Sequence, residues 1–528
     1  MIFYYSAPPG GGKALQGLDF PMPVPAAEPS SAPPPAEGRL SEAEALFERR
    51  RRRVGLVLGP AAFALLLAFP SGDLGPAAGR LLAVVAWVLV WWITEAVPLP
   101  VSAILGPALS VVLGVVPVRE AFAPFGDPII FLFLGSFLLA EAMSVHGLDR
   151  RIAWAILSIP GASASPRRVI ATFVILSAAL SMWLSNSATT AMLYPIALGT
   201  LGALEPGGLR RSPFATSILL ACAYGSSIGG IGTPVGSPPN LVAIGQLSSL
   251  AGLQVGFVPW LLVSLPVTAA MALAAALLMG RRFGPSARFE RGAGLASRPR
   301  GTMSAGEKSV TFAVLATVAG WVGPGLVALV LGQGHAVSAA LSRALPEGAV
   351  AVLGAGLLFV LPAGGVERRR ALAWADAARI DWGTLLLFGG GLSLGGAMFR
   401  TGLSETLGQG LVGSTGVSTT LGLTVVFAVF SIFFTEVTSN TAAATMLVPL
   451  AIASAQAAGV SPLEPALGCA LGCSMAFMLP VATPPNAIVY GSGLVPVTTM
   501  ALAGIWMNLT ACVVIPAGVL LLVPLVFR

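Results

Sequence analysis

Long apolar runs recur along the chain from Val54 to its C-terminus, separated by short polar or basic stretches. Most runs cover about 16 to 25 residues, enough for a helix to cross a hydrocarbon core of roughly 30 Å. Lipid offers the backbone no hydrogen-bonding partner, so helices are the natural structure for these runs. The pattern predicts an all-α integral membrane protein with about eleven transmembrane helices and two re-entrant hairpins.

The hairpins are predicted where an apolar segment has about twice the length of a single span and is interrupted by a polar triplet instead of a loop. Arg167 and Arg168 precede the first such segment, and Arg210 and Arg211 follow it. Basic residues mark the cytoplasmic side, so both ends of the segment are predicted to lie there. A segment that returns to its side of entry is a re-entrant hairpin with the triplet at its tip.

These elements divide the chain into two halves, each with several spans followed by a hairpin and a broken helix. The predicted ranges are 1–53 for a disordered tail and a basic cytoplasmic segment, 54–126 for the first group of spans, 127–256 for the first hairpin part (hairpin 169–208, broken helix 213–245), 257–380 for the second group of spans with a cytoplasmic linker at 281–308, 381–495 for the second hairpin part (hairpin 417–459, broken helix 462–495), and 496–528 for a C-terminal span.

Composition excludes a water-soluble globule of this length. Hydrophobic residues make up 55% of the 528 residues, charged residues make up 10%, and the mean hydropathy is +0.86. The net charge of +7 comes from basic clusters between apolar runs, so no nucleic-acid partner is predicted. The arginines at 49–53 stand just before the first span and predict a cytoplasmic N-terminus, with the C-terminus outside, in a bacterial-type inner membrane.

The sequence contains no signature of an enzyme or of a bound cofactor. No catalytic triad or phosphate-cradling loop is present. The cysteines lie in apolar surroundings without His or Cys partners at metal-ligand spacing, which is typical of small buried residues. They are Cys222, Cys469, Cys473 and Cys512.

The two halves align on polar residues, prolines and glycines. One set of pairs shares an offset of 254 (440 − 186): Asp127 with Asp381, Gly135 with Gly389, Asn186 with Asn440, Met192 with Met446, and Pro195 with Pro449. The segment 234–240 matches 480–486 at an offset of 246 (486 − 240), and both end in Pro-Pro-Asn. The first copy is predicted to start outside and the second inside, so the repeats are inverted, an arrangement that places a binding site near the membrane midplane.

The polar triplets, Ser185-Asn186-Ser187 and Ser439-Asn440-Thr441, are each predicted to end one half-helix and begin another. Amide N–H groups and the positive end of a helix dipole then point at the site, which favours an anion. The opposite half-helix ends expose carbonyl groups that, together with hydroxyls, suit a small hard cation such as sodium. Neither triplet and neither Pro-Pro-Asn segment contains Lys or Arg, so bound cations would balance a doubly charged substrate.

A purely structural role is the alternative for these polar residues. A lone asparagine in a membrane bundle often hydrogen-bonds between helices, at about 0.6 kcal/mol. Four breaks at matching positions favour a site instead, because each break leaves backbone groups in need of partners within lipid. Glu141 and Glu436 lie in apolar segments and could carry protons, but a structural role is favoured because neither has a carboxylate at the matching position of the other half.

The triplets and the run from Cys473 to Val489 (CSMAFMLPVATPPNAIV) resemble the divalent anion:sodium symporter family, also called the sodium:sulfate and dicarboxylate symporters. The resemblance extends from about residue 54 onward and implies a homodimeric, elevator-type transporter that takes up a small divalent anion with sodium by alternating access. C4-dicarboxylates such as succinate, malate and fumarate are the leading substrates. Sulfate, citrate and sodium-independent dicarboxylate exchange remain open, and a substrate-sensing receptor is the alternative from another class.

The resemblance also implies which residues form the site. Substrate contacts would come from Asn186, Ser187, Ser237, Asn440, Thr441, Thr483 and Pro484. A first sodium ion would bind at Ser181, Ser185, Asn186 and Gly236, and a second at Thr435, Thr438, Asn440 and Ala482. Ser187 departs from the usual threonine of the family, which removes a methyl group beside the substrate and keeps the hydroxyl.

Overall fold

The computed structural model describes residues 42–69, 74–159, 161–162, 164–204, 212–282, 301–332, 334–364 and 369–527. Three predicted features lie outside these residues: the disordered tail as far as residue 41, the basic pair Arg210 and Arg211, and most of the linker at 281–308. Almost all of the described chain is helical.

The described part of the first half is mostly helical, and serine caps begin both α7 and α9: Ser165 and Ser212 each accept a hydrogen bond from a backbone N–H of the first turn. The helices are α1 (Glu42–Ala68), α2 (Pro76–Thr94), α3 (Leu99–Val112), α4 (Val118–Phe122), a 3₁₀ helix (Ala123–Gly126), α5 (Pro128–Val145), α6 (Leu148–Leu157), α7 (Pro166–Ser181), α8 (Asn186–Leu204), α9 (Pro213–Gly230), α10 (Pro238–Ala251) and α11 (Phe257–Arg282).

The second half is also mostly helical and contains one short antiparallel pair of strands. Its elements are α12 (Ala305–Leu331), α13 (Ala336–Ala344), α14 (Glu347–Leu358), β1 (Pro362–Gly364), β2 (Arg369–Arg370), α15 (Trp374–Ala377), α16 (Trp382–Arg400), α17 (Leu403–Thr415), α18 (Thr420–Phe434), α19 (Asn440–Ala457), α20 (Leu463–Cys473), α21 (Pro484–Tyr490) and α22 (Val497–Val526). The chain is nearly all helical, and the one exception to the all-α prediction in its described part is this pair, which is too short to leave a pattern of alternating residues in the sequence.

Within the described residues, seven helices are long and apolar enough to cross a membrane, and the number rises to nine if each of two bent helix pairs counts as one span. The count of about eleven therefore stays a prediction. Each predicted hairpin and broken helix is built from two shorter helices: α7 with α8, α9 with α10, α18 with α19, and α20 with α21. Several of these half-helices are too short to cross a bilayer alone.

Two short helices, α6 and α17, were not predicted. Each begins after a glycine with positive φ, Gly147 at 68° and Gly402 at 76°, and each lies just before a hairpin. Each helix buries the leucine at its first position, Leu148 in α6 and Leu403 in α17. Their length and mixed polarity hide them from a search for long apolar runs, so the structure adds them to the predicted plan.

Each hairpin packs its first helix closely against the broken helix of the same half: α7 lies along α9, and α18 lies along α20. Glycines permit this approach. A side-chain carbon added at Gly225 would lie 2.8 Å from the carbonyl oxygen of Val174, and one added at Gly472 would lie 2.8 Å from that of Ala428. Small residues at helix contacts are the usual means of close packing in membranes, and here they fix each tip beside a helix break.

Candidate functional site

A cavity of about 1390 Å³ lies where the two hairpin tips meet the two helix breaks. Its wall includes both polar triplets and prolines of both Pro-Pro-Asn segments, namely Pro238, Pro484 and Pro485. All seven residues predicted to contact the substrate line it, namely Asn186, Ser187, Ser237, Asn440, Thr441, Thr483 and Pro484. The structure thus brings together, from positions up to about 300 residues apart in sequence, the residues that the resemblance implied.

The first hairpin tip is the turn between α7 and α8. Ser181 is fully buried, and its hydroxyl donates to Asn186 Oδ1 at 2.7 Å. Ser185 caps α8 by accepting a hydrogen bond from the backbone N–H of Ala188 at 3.2 Å. The first N–H groups of α8 are therefore held at the cavity wall beside Asn186 and Ser187, where the positive end of the helix dipole favours an anion.

The second tip, between α18 and α19, repeats the hydroxyl–asparagine contact of the first, but Ser439 forms no side-chain cap. Thr435 Oγ1 lies 2.6 Å from Asn440 Oδ1 and 2.9 Å from the carbonyl oxygen of Cys473. One hydroxyl proton cannot serve both oxygens fully, so this cluster is rich in unshared electron pairs. Nearby, the buried hydroxyl of Thr438 has no hydrogen-bond partner in the described part of the chain. Oxygen clusters of this kind suit a small hard cation.

The helix breaks are held by their asparagines in the same way. Asn240 Nδ2 donates to the carbonyl oxygens of Gly230 and Thr233, both at 2.8 Å. Asn486 Nδ2 donates to those of Ala476 at 3.3 Å and Leu479 at 3.0 Å. These bonds satisfy carbonyl groups that the broken helices would otherwise leave without partners in lipid. The contacts match at the offset of 246 found in the sequence (486 − 240).

Carbonyl oxygens crowd around Gly236 in the first break. A side-chain carbon built there would lie 2.7 Å from the Gly230 oxygen, 3.0 Å from that of Ser181 and 3.1 Å from that of Met182. Only glycine can bring its backbone so near these groups. With the side-chain oxygen of Asn186 beside Gly230, the predicted first sodium residues supply a set of hard oxygen donors, so they fit the ion.

Ser237 differs from the other predicted substrate residues. Its side chain is 1% exposed, and its hydroxyl lies 3.2 Å from the hydroxyl of Ser474. It reaches the cavity wall and also links the first break to the second. At the matching position, Thr483 Oγ1 accepts a hydrogen bond from the backbone N–H of Asn486 at 3.4 Å and caps α21.

Charged side chains also line the cavity. Arg51 lies 3.3 Å from Glu95, and Arg379 lies 3.0 Å from Glu141. The hydrogen bond that Arg379 donates to the Glu141 carboxylate raises the pKa of Arg379. Glu141 therefore lies in an ion pair with Arg379 at the cavity wall. The sequence did not predict that these charged side chains line one cavity, because they come from distant segments with no shared pattern.

Comparison with known proteins gives matches along nearly the whole chain. The profile of the sodium:sulfate symporter transmembrane region matches residues 51–526. The sodium-dependent dicarboxylate transporter SdcS of Staphylococcus saprophyticus is 35% identical over 486 residues, covering 89% of this chain and 91% of that protein. SdcS of Staphylococcus aureus is 35% identical over 488 residues, covering 90% and 91%.

Two solved transporter structures share the fold at low sequence identity. YdaH of Alcanivorax borkumensis superposes with a TM-score of 0.52 and 15% identity over 90% of this chain and 97% of that one. MtrF of Neisseria gonorrhoeae gives a TM-score of 0.56 and 13% identity with the same coverage of 90% and 97%. At such identities the likeness concerns the fold alone.

Proposed function

The chain belongs to the divalent anion:sodium symporter family, the sodium:sulfate and dicarboxylate symporters, and on that premise we propose that it takes up C4-dicarboxylates with sodium by alternating access. The observation that carries the proposal is the single cavity at which two half-helix N-termini and two oxygen clusters meet. The relatives named as sodium-dependent dicarboxylate transporters support this substrate class over sulfate and citrate.

The substrate binds between the two tips. Its carboxylates accept hydrogen bonds from the first N–H groups of α8 and α19 and from Asn186, Ser187, Asn440 and Thr441, while Ser237, Thr483 and Pro484 shape the opposite wall. Four neutral side chains and two helix dipoles cannot by themselves balance a dianion away from water. Sodium supplies the missing positive charge.

One sodium ion binds at Ser181, Ser185, Asn186 and Gly236, and a second binds at Thr435, Thr438, Asn440 and Ala482. Asn186 and Asn440 couple ion to substrate because each holds its side-chain oxygen toward the ion cluster and lies in the triplet that faces the anion. Binding the ions first organises the tips and lowers the cost of burying the dianion. The sodium gradient then drives uptake of the dicarboxylate.

Alternating access follows from the two-part plan of the chain. The hairpins and broken helices form a transport domain, the remaining spans form a scaffold, and the halves are inverted repeats that move as an elevator in a homodimer. Arg51, Arg52 and Arg379 all line the cavity, so by the positive-inside rule it opens toward the cytoplasm, with the C-terminus outside.

Uptake of labelled succinate into proteoliposomes tests the proposal. We expect accumulation with sodium outside, its loss when choline replaces sodium, and competition by malate and fumarate but not by sulfate or citrate. Uptake that needs internal dicarboxylate and ignores sodium would instead show an exchanger. Succinate binding without any flux in either assay would favour a receptor.

A further inference from the structure

Glu436 is the one ionisable side chain in either hairpin tip or either helix break, that is, in residues 181–187, 231–240, 435–441 and 474–486. All of these residues are described by the structure. Glu436 stands in the second tip, between Thr435 and Thr438, and only 4% of the residue is exposed. Burying a carboxylate so deeply among apolar helices is energetically costly, so specific contacts are needed to stabilise it.

The Glu436 carboxylate accepts hydrogen bonds from backbone N–H groups of the second helix break. Glu436 Oε1 accepts from the backbone N–H of Phe477 at 2.7 Å and of Met478 at 2.9 Å, and Oε2 accepts from Met478 at 3.1 Å and Leu479 at 3.2 Å. The side-chain amide of Asn508 in α22 donates to Oε1 at 2.8 Å. One side chain thereby ties together the tip, the break and α22.

All of these contacts come from N–H donors, and both oxygens act only as acceptors. This is the hydrogen-bonding pattern of an ionised carboxylate, because a protonated one would have to donate its O–H to an acceptor. No Lys or Arg in the described part of the chain forms an ion pair with Glu436. The site therefore carries a buried negative charge that only backbone and amide dipoles offset.

The first half has no such charge. The position that matches Glu436 at the offset of 254 is Met182 (436 − 254). There the break is held by neutral donors to its carbonyl groups: Trp260 Nε1 donates to Ile231 O at 3.1 Å, and Ser264 Oγ donates to Gly232 O at 3.0 Å. The hydroxyl–asparagine contacts of the two tips are otherwise alike, at 2.7 Å and 2.6 Å.

We propose that Glu436 is a positioning residue whose fixed negative charge makes the second sodium site the tighter of the two, so that this site fills first. The inference rests on the proposed function, since it assumes that the clusters at Asn186 and Asn440 bind sodium. Glu436 acts through charge and through the break that it anchors: Thr435, Thr438 and Ala482 belong to the same two segments that its carboxylate joins.

The test is sodium-dependent thermal stabilisation of the purified full-length protein, titrated from choline into sodium without substrate. Glu436→Gln keeps the shape of the side chain and removes its charge. Met182→Leu is the matched control at the corresponding position of the first half. We expect the sodium concentration for half-maximal stabilisation to rise about tenfold in E436Q and to change less than about twofold in M182L.

A purely structural role gives a different result. E436Q would then unfold at a lower temperature in choline and in sodium alike, with an unchanged sodium midpoint, and that outcome overturns the proposal. If E436Q does not fold, Glu436→Asp keeps the charge on a shorter side chain and should hold the sodium midpoint within about threefold. A tenfold loss in a stable E436D would also overturn the proposal.

The parent protein separates this inference from the function on which it rests. If sodium does not stabilise the parent at all, the proposed sodium coupling fails. If sodium stabilises the parent and E436Q equally well, the coupling stands and only the assignment to Glu436 fails. Steeper sodium dependence in the parent than in E436Q would show that the variant has lost the site that fills first.

Discussion

The two helix breaks share their asparagine anchors, but only the second is also held by a carboxylate. In the first break, Trp260 and Ser264 donate to carbonyl groups. In the second, Glu436 accepts from amides, while Tyr224 Oη lies 2.8 Å from the Phe477 oxygen. Backbone groups inside a bilayer can evidently be satisfied by neutral donors or by a charge. The asparagine anchors are common to both breaks, so they are the features that an ion and substrate site built on the breaks would need.

The largest effect is expected from the asparagines that the halves share. Asn440→Ala and Asn186→Ala should each reduce sodium-dependent succinate uptake more than about a hundredfold, because each removes an amide that faces both ion and substrate. Uptake per reconstituted protein measures this. Gln254→Ala removes an exposed amide elsewhere and should leave uptake intact. Normal uptake by a well-expressed N440A would refute the assigned site.

Packing beside the breaks should come next. Gly225→Val places a methyl-bearing carbon against Val174 in the first half, and Gly472→Val does the same against Ala428 in the second. Each should destabilise the protein by about 1–3 kcal/mol through overpacking. Gly199→Ala, where the surroundings are open, is the control. Thermal unfolding in detergent measures the difference, and equal stability of all three variants would contradict the close packing.

A smaller effect should follow from removing one neutral donor from each break. Tyr224→Phe deletes the hydroxyl beside the second break, and Trp260→Phe deletes the N–H that binds the first. Each should cost about 1 kcal/mol and lower the unfolding temperature by a few degrees, because a buried carbonyl loses a partner. If only one variant is destabilised, the two breaks are not equivalent in their need for such donors.

The smallest effect should come from Ser187→Thr, which restores at the first tip the methyl group that Thr441 carries at the second. The added methyl group narrows the cavity without removing a hydroxyl, so uptake of succinate should persist. Competition by malate, which carries one hydroxyl more than succinate, should weaken by at most about tenfold. A complete loss of succinate uptake would mean that the substrate lies closer to Ser187 than the present arrangement allows.

Sequence alone predicted the parts of this site that depend on backbone chemistry. A break in a membrane helix requires glycine, proline or asparagine at a defined position. The matches of Asn186 with Asn440 and of Asn240 with Asn486 could therefore be recognised in the amino-acid sequence. The short helices α6 and α17 and the pair β1–β2 left no apolar run or alternating pattern long enough to detect. Their formation depends on tertiary packing rather than local periodicity.

The contacts by which Glu436 anchors the second break could not be predicted from the sequence, for a different reason. Its partners, Phe477 to Leu479, contribute only backbone N–H groups, which every residue except proline possesses. Asn508 lies on another helix and has no motif around it. Pattern reasoning could note a carboxylate in an apolar segment and favour a structural role, but only three-dimensional contacts show which segments it joins.

The most direct measurement is a cryo-EM map of the protein in lipid nanodiscs with sodium and succinate, compared with a map in choline alone. We expect succinate density between the Asn186 and Asn440 tips, flanked by sodium at the two oxygen clusters, and no such density in choline. Succinate density elsewhere in the protein, or either asparagine tip exposed to bulk water outside the membrane, would contradict the proposed site.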